Sequence, residues 1–153
     1  MEVGSTNFEV NFEQYSTPFK MKTYRLIVFD GVCNLCNGLV QFIIKRDKKK
    51  QFKFTQLQSA FAQEIVSGLG LSGTELSTVV YVNNGRYYWK STAVLNILND
   101  LGGCWSLWYG LMIIPSVIRD GIYDLVAKRR YRWFGRQESC MVPTPEIMDR
   151  FLH

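Results

Sequence analysis

The stretch LIVFDGVCNLCNGLVQFIIKRDKKK, residues 26–50, decides how this chain folds. Leu26 to Phe29 end a β-rich run, residues 23–29, that is too short for a helix and is closed by Asp30-Gly31, so it reads as a buried strand. Cys33 and Cys36 follow at once. From Asn34 the residues Leu35, Leu39, Val40, Phe42, Ile43 and Ile44 fall mainly on one face at helical spacing. The cations from Lys45 to Lys50 come at the end of that helix, where its dipole favours positive charge. A CxxC pair therefore stands where a buried strand gives way to a helix.

The next elements extend the pattern. FKFTQL, residues 52–57, is a strand with Phe52 and Phe54 inward and Lys53 outward. Ser59 then opens AFAQEIVSGLG, a short helix stopped by Gly68 or Gly70. STVVYV (77–82) and RYYW (86–89) flank Asn-Asn-Gly, a triplet that tolerates positive φ and predicts a hairpin. Ser91 is the expected N-cap of TAVLNILNDL, whose Val94, Leu95, Ile97, Leu98 and Leu101 form an apolar face before Gly102-Gly103 ends the helix. The order βαβαββα predicts an α/β fold of thioredoxin-like type, a four-stranded mixed sheet with helices on both faces.

From about residue 104 a C-terminal helical extension is expected. Trp105 to Met112 form one piece, with Trp105 and Trp108 as core or cover residues. A longer helix has Pro115 at its first position and a stripe of Ile114, Val117, Ile118, Ile122, Leu125 and Val126, which should cover the core. Residues 135–153, with Pro143 and Pro145, predict a loop and a short amphipathic turn around Ile147 and Phe151.

A chain of 153 residues with 47% hydrophobic and 20% charged content suits one folded domain, expected over residues 21–153 behind a flexible tail, residues 1–20. The tail carries Glu2, Glu9 and Glu13 and no continuous apolar run, which argues against a secretory signal. Met21 is a second candidate start of the folded unit. The longest apolar stretch, WSLWYGLMIIPSVI, is interrupted by Gly110 and Pro115 and falls short of the roughly 18 residues a transmembrane helix needs. Four unevenly spaced cysteines do not make a secreted disulfide framework, so a reducing, cytoplasmic setting is expected. Net charge is +5 for the whole chain, with the cations gathered in residues 45–53 and 128–136.

Three readings of the cysteine pair compete. In the redox reading Cys33, at the helix start, is held as a thiolate by the free N–H groups and dipole, and attacks a disulfide. Cys36, one turn further in and partly shielded, resolves the mixed disulfide. In the structural reading both are small buried hydrophobes. The metal reading must recruit Cys104 and Cys140, because His153 is the one histidine of the chain. The strand-turn-helix context favours redox chemistry, with no cofactor beyond the cysteine pair. Asp30 either caps the turn or takes a proton from Cys36 during resolution. IVFDGV also resembles the nucleophile strand of haloacid-dehalogenase-type phosphatases, but Val32 stands where those place a second Asp, which removes the general acid and weakens a magnesium site.

FDGVCNLCNGLVQFIIKRD, FTQLQS, KSTAVLNIL, IPSVIRDGIYDLVAKRRYRWFGR and ESCMVP occur in the order and spacing of the DCC family of predicted thiol-disulfide oxidoreductases, which this chain resembles over about residues 24–152. The family's DxxCxxC is matched by Asp30, Cys33 and Cys36, its Ser-x-Ala by Ser91 and Ala93, and its RY segment and trailing Cys by Arg130-Tyr131 and Cys140. The resemblance implies a thioredoxin-like fold and activity of protein-disulfide reductase type; Cys140 itself reads either as an accessory thiol that reaches Cys33 or Cys36 or as a buried cysteine. One departure from thioredoxins stands out. Where they carry a cis-Pro before the third strand, opposite the CxxC, this chain has Ser77 and Thr78, so the backbone facing a substrate differs and a different thiol partner or a metal has room there.

The expected partners are a protein disulfide or small-thiol substrate and an electron donor. Lys45 to Lys53 read as a solvated helix end. AKRRYRWFGR, residues 127–136, interleaves five basic residues with Tyr131, Trp133 and Phe134. It reads first as a helix end with packed aromatics, and second as an anionic-surface contact through residues 128–136, with nucleic acid disfavoured as a partner. The rival function class is a non-catalytic module that binds a metal or an anion through the same cysteines or that basic cluster.

Overall fold

The apolar run before Asp30 is an inner strand of the sheet. The computed structural model describes residues 25–68, 70, 78–139 and 142–152. Strand β1 (Arg25–Phe29) pairs in parallel with β2 (Phe52–Gln56) and antiparallel with β3 (Val80–Asn83), which pairs antiparallel with β4 (Arg86–Trp89), giving the order β2-β1-β3-β4. Because β1 is central and covered on both faces, Leu26 to Phe29 are all buried and no polar alternation is seen. On one face Ile27 and Phe29 pack with Val40 and Ile43 of α1 (Asn34–Arg46) and with Ala93 and Ile97 of α3 (Lys90–Leu101). On the other, Leu26 and Val28 pack with Ala62, Ile65 and Val66 of α2 (Ala60–Gly68). This mixed sheet with helices on both faces is the thioredoxin-like arrangement the element order predicts.

Local chemistry sets the boundaries. Asn84 and Gly85 both have positive φ, 52° and 78°, so the β3–β4 turn has the handedness a tight hairpin needs. Ser59 caps α2, its Oγ accepting the Ala62 N–H at 3.1 Å. Two expectations shift. The third strand begins at Val80, since the Val79 N–H donates to the Tyr123 hydroxyl at 3.0 Å. Helix α3 begins at Lys90 with Trp89 at the cap, and the Ser91 hydroxyl is used by Asp120 on another helix. Residues 1–20, Met21, Ser77 and Cys140 lie outside the described residues.

The C-terminal extension departs most from expectation. It comprises a 3-10 helix, Gly103–Ile113, lying against α3, and the helix α4 (Ser116–Phe134). Trp105 does cover the core, edge-on to Phe42 with ring centroids 4.7 Å apart, whereas Trp108 is exposed. The stripe Val117, Ile118, Ile122 and Leu125 faces outward instead of covering the core, and Trp133 and Phe134 are likewise exposed rather than packed, whereas Tyr131 keeps its ring partly exposed and its hydroxyl on Asp30. Polar anchors orient α4. Arg119 reaches the Ile114 carbonyl, Asp120 takes Ser91, Tyr123 takes Val79, and Arg130 reaches Asp30. Turning the apolar stripe inward would pull these groups out of their hydrogen bonds, and stranding buried polar partners is costly.

The chain end closes the sheet. After the 3-10 turn Met148–Arg150, Phe151 inserts beside Phe54 and Phe29, at centroid distances of 5.6 and 6.3 Å. Arg150 forms a buried 2.5 Å ion pair with Asp47, whose same oxygen accepts the Phe52 N–H at 3.0 Å. The expected turn around Ile147 and Phe151 is therefore present and sealed into the core.

Candidate active site

Asp30 leaves β1 and organises the turn that delivers the cysteines. Its Oδ1 accepts the Val32 N–H at 3.1 Å and the Gln58 amide at 2.8 Å, while Gln58 Oε1 accepts the Gly31 N–H at 3.2 Å. The turn leaves Cys33 extended, with φ −88° and ψ 119°, at the N-cap of α1, where no side chain caps the helix and the Cys33 carbonyl accepts the Asn37 N–H at 2.9 Å. Cys36 lies one turn further in. Both thiols are free and belong to the same buried cluster as Phe29, Val79 and Tyr81.

A second layer of charge surrounds them. Asp30 Oδ2 accepts from the Arg130 guanidinium at 2.9 Å and from the Tyr131 hydroxyl, and both members of the Asp30–Arg130 pair are buried. Burial alone would raise the Asp30 pKa. Hydrogen bonds from Tyr131, Gln58 and Val32, together with the Arg130 charge, hold it below the usual carboxylate value instead. Cys36 is pushed up to about 12, first by burial, then by charge on Cys33 and the hydrogen bond to it, with Arg130 opposing. Burial depresses the Arg130 pKa, but Tyr131 and the potential charges of Cys36 and Cys33 raise it on balance. The guanidinium is thus within electrostatic reach of both sulfurs. Tyr123, also sensing Cys36, is pushed up to about 12 mainly by burial.

The segment after α4 lies across the motif. The Gln137 N–H donates to the Val32 carbonyl at 2.8 Å, and the Asn34 amide donates to the Phe134 carbonyl at 2.8 Å. Asn37 donates to the Gly31 carbonyl at 3.0 Å and to Gln137 Oε1 at 3.4 Å, and Cys33 forms an isolated antiparallel bridge with Arg136. Gly135, at φ 82° and ψ 168°, makes the bend, and a Cβ there would meet Asn34 Nδ2 at 3.1 Å. Cys33 is consequently fully buried, at least as shielded as Cys36, the thiol for which the sequence predicts partial shielding.

Of the residues singled out from sequence, Cys33, Cys36 and Asp30 come together. Thr78 is buried two residues before Val80, the partner of Val28, so it lies at the same end of the sheet as Asp30. No cis peptide occurs among the described residues. Cys104 is exposed on the 3-10 helix. Among the described residues no three His, Cys, Asp or Glu side chains gather as metal ligands, so the cysteine pair has no third ligand there. Sequence reasoning left Arg130, Tyr131, Gln58 and Gln137 out of the site. A helical wheel carries the signal for one of them: Arg130 falls on the side of Tyr123 and Ala127, away from Lys128 and Arg132.

Comparison with known proteins bears on the same residues. A family model described as DCC1-like thiol-disulfide oxidoreductase matches residues 27–136. The uncharacterised protein YuxK of Bacillus subtilis (strain 168) is 44% identical over 128 residues, which cover 84% of this chain and 93% of YuxK. A chloroplastic DCC family protein of Arabidopsis thaliana is 37% identical over 129 residues, 84% of this chain and 75% of its own. No solved structure matches.

Proposed function

The chain belongs to the DCC1-like thiol-disulfide oxidoreductase family, and from that membership and the site geometry we propose that it reduces a disulfide of a protein or small-thiol substrate through Cys33 and Cys36. The carrying observation is the pair of free, buried thiols at the N-terminus of α1, beside the buried Arg130–Asp30 pair. The Cys33 thiolate attacks one sulfur of the substrate disulfide, forming a mixed disulfide and expelling the first substrate thiolate. Cys36 then attacks the Cys33 sulfur, expels the second thiolate and closes the Cys33–Cys36 disulfide. The substrate gains two electrons, the dithiol loses two, and the Cys36 proton leaves with the departing thiolate.

Each neighbour has a part in this scheme. Cys36, protonated at neutral pH, donates its hydrogen to the Cys33 sulfur while that sulfur carries charge. Arg130 offsets the negative charge of either sulfur and is held in place by Asp30. Asp30, ionised and engaged by Val32, Gln58, Arg130 and Tyr131, is a weak proton acceptor and serves as a positioning residue. Cys33 meets a bulky disulfide only when residues 134–137 lift from the motif.

The test is titration of the reduced protein in glutathione buffers, with thiol alkylation followed against pH in wild type, Cys33→Ser and Cys36→Ser, all carrying Cys104→Ser and Cys140→Ser. An intramolecular disulfide that forms reversibly, and is lost in either single variant, is expected. Failure to form it, or a stoichiometric metal in anaerobically purified protein that leaves on Cys33→Ser, overturns the reading.

A further inference from the structure

The outward face of α4 is unlike the rest of the surface. At 100° per residue, Ile118, Ile122 and Leu125 line up with Lys128, Arg129 and Arg132 on one side of the helix. All six are exposed, with Ile122 at 62%. The two acids of α4 lie off this face and are engaged elsewhere, Asp120 by Ser91 and Asp124 by Lys90 at 3.0 Å. The face is therefore apolar in its first half, cationic in its second, and free of carboxylates.

The preceding 3-10 helix continues it. GCWSLWYGLMI has no charged residue and no buried one, and it exposes Leu107 at 80%, Trp108 at 53% and Ile113 at 92%. Pro115 joins it to α4, whose first turn exposes Val117 at 72%. Exposed apolar surface concentrated in this way marks a partner or a membrane.

Charge selects between the occupants. In a two-fold pairing of this face with a second copy, Lys128, Arg129 and Arg132 meet no acid, because the face carries none. A bilayer with anionic lipids provides both halves of the match: phosphates for the cations, and the headgroup–acyl boundary for the aliphatic side chains and for Trp108. We propose that the 3-10 helix and the outer face of α4 form a docking surface for an anionic bilayer, lying in its interface. Lying in the interface, rather than spanning, agrees with the lack of any helix among the described residues long and apolar enough to cross a membrane. The proposal stands whether or not Cys33 and Cys36 exchange disulfides.

The test is co-sedimentation of the full chain with vesicles of phosphatidylcholine alone and of phosphatidylcholine containing phosphatidylglycerol, over a range of salt. Binding to the anionic vesicles that weakens with salt, with a blue shift of tryptophan emission, is expected. Replacing Lys128, Arg129 and Arg132 by Ala should lower affinity about a hundredfold, roughly fivefold for each cation. Ile118→Ser with Leu125→Ser should abolish the blue shift while far-UV circular dichroism stays native. If that pair misfolds, the cation variant decides. Equal binding to neutral vesicles, indifference to the cation variant, or self-association of the wild type that Leu125→Ser abolishes overturns the proposal, the last assigning the face to a second copy.

Discussion

Arg130 and Asp30 carry the largest single-residue stake. Their ion pair is buried, so removing one partner leaves the other's charge stranded, at a cost of about 3–5 kcal/mol. Arg130→Met is expected to lower unfolding stability by that amount in a denaturant titration, and Arg130→Met with Asp30→Asn to recover part of it. The depressed Asp30 pKa adds a pH signature. The unfolded chain binds this proton near pH 3.8 and the folded chain only below that, so the contribution is present above 3.8 and is lost as pH falls through the folded value. Asp30→Asn should flatten that acid limb. Cys36 behaves oppositely. Its folded pKa is raised from 9.0 to about 12, so the folded state keeps the proton longer and stability should fall as pH climbs across that interval. Alkylation of Cys36 in Cys33→Ser, with Cys104 and Cys140 also replaced by Ser, should stay slow past pH 9.0, because burial is the main cause and survives that substitution. Reaction at the rate of a free thiol would contradict it.

At the scale of elements, α1 supplies the thiols and the segment after α4 shuts them in. The bend at Gly135 uses a φ/ψ combination that is essentially reserved for glycine, so Gly135→Ala adds strain of about 1–3 kcal/mol at the hinge of this cover. The expected result is faster alkylation of Cys33 with a loss of global stability no larger than that strain, and an unchanged rate would show that the cover does not limit access. Gln137→Ala, which removes one bond to Asn37 at 3.4 Å, should act in the same direction but more weakly. The helix elements were legible because their periodicity is local: Asn34 to Arg46 and Ala60 to Gly68 each bury the face their apolar residues define. Helix α4 was legible as a helix but not in its rotation, since an apolar stripe normally faces the core. Here the hydrogen bonds that tie Asp120 to Ser91, Tyr123 to Val79 and Arg130 to Asp30 decide which face turns inward.

Over the whole molecule, the last residues return to the first strands. Phe151 fills space between Phe54 and Phe29, the residue before Asp30, so Phe151→Ala should cost about 3–5 kcal/mol and loosen the site as well as the core. A lower denaturation midpoint together with faster Cys33 alkylation would register both effects, and a native midpoint would show that the chain end is dispensable. By itself the sequence determined the strand-turn-helix around DxxCxxC, the βαβαββα order and the hairpin at Asn84-Gly85. These follow from periodicity, turn chemistry and capping within a few residues of each position. Only the tertiary structure decided that Arg130 and Tyr131 close on Asp30, that residues 134–137 cover Cys33, and that the α4 stripe faces out. The first two depend on contacts between residues about 100 apart and the third on partners 29, 44 and 100 apart, whose energies no local pattern encodes.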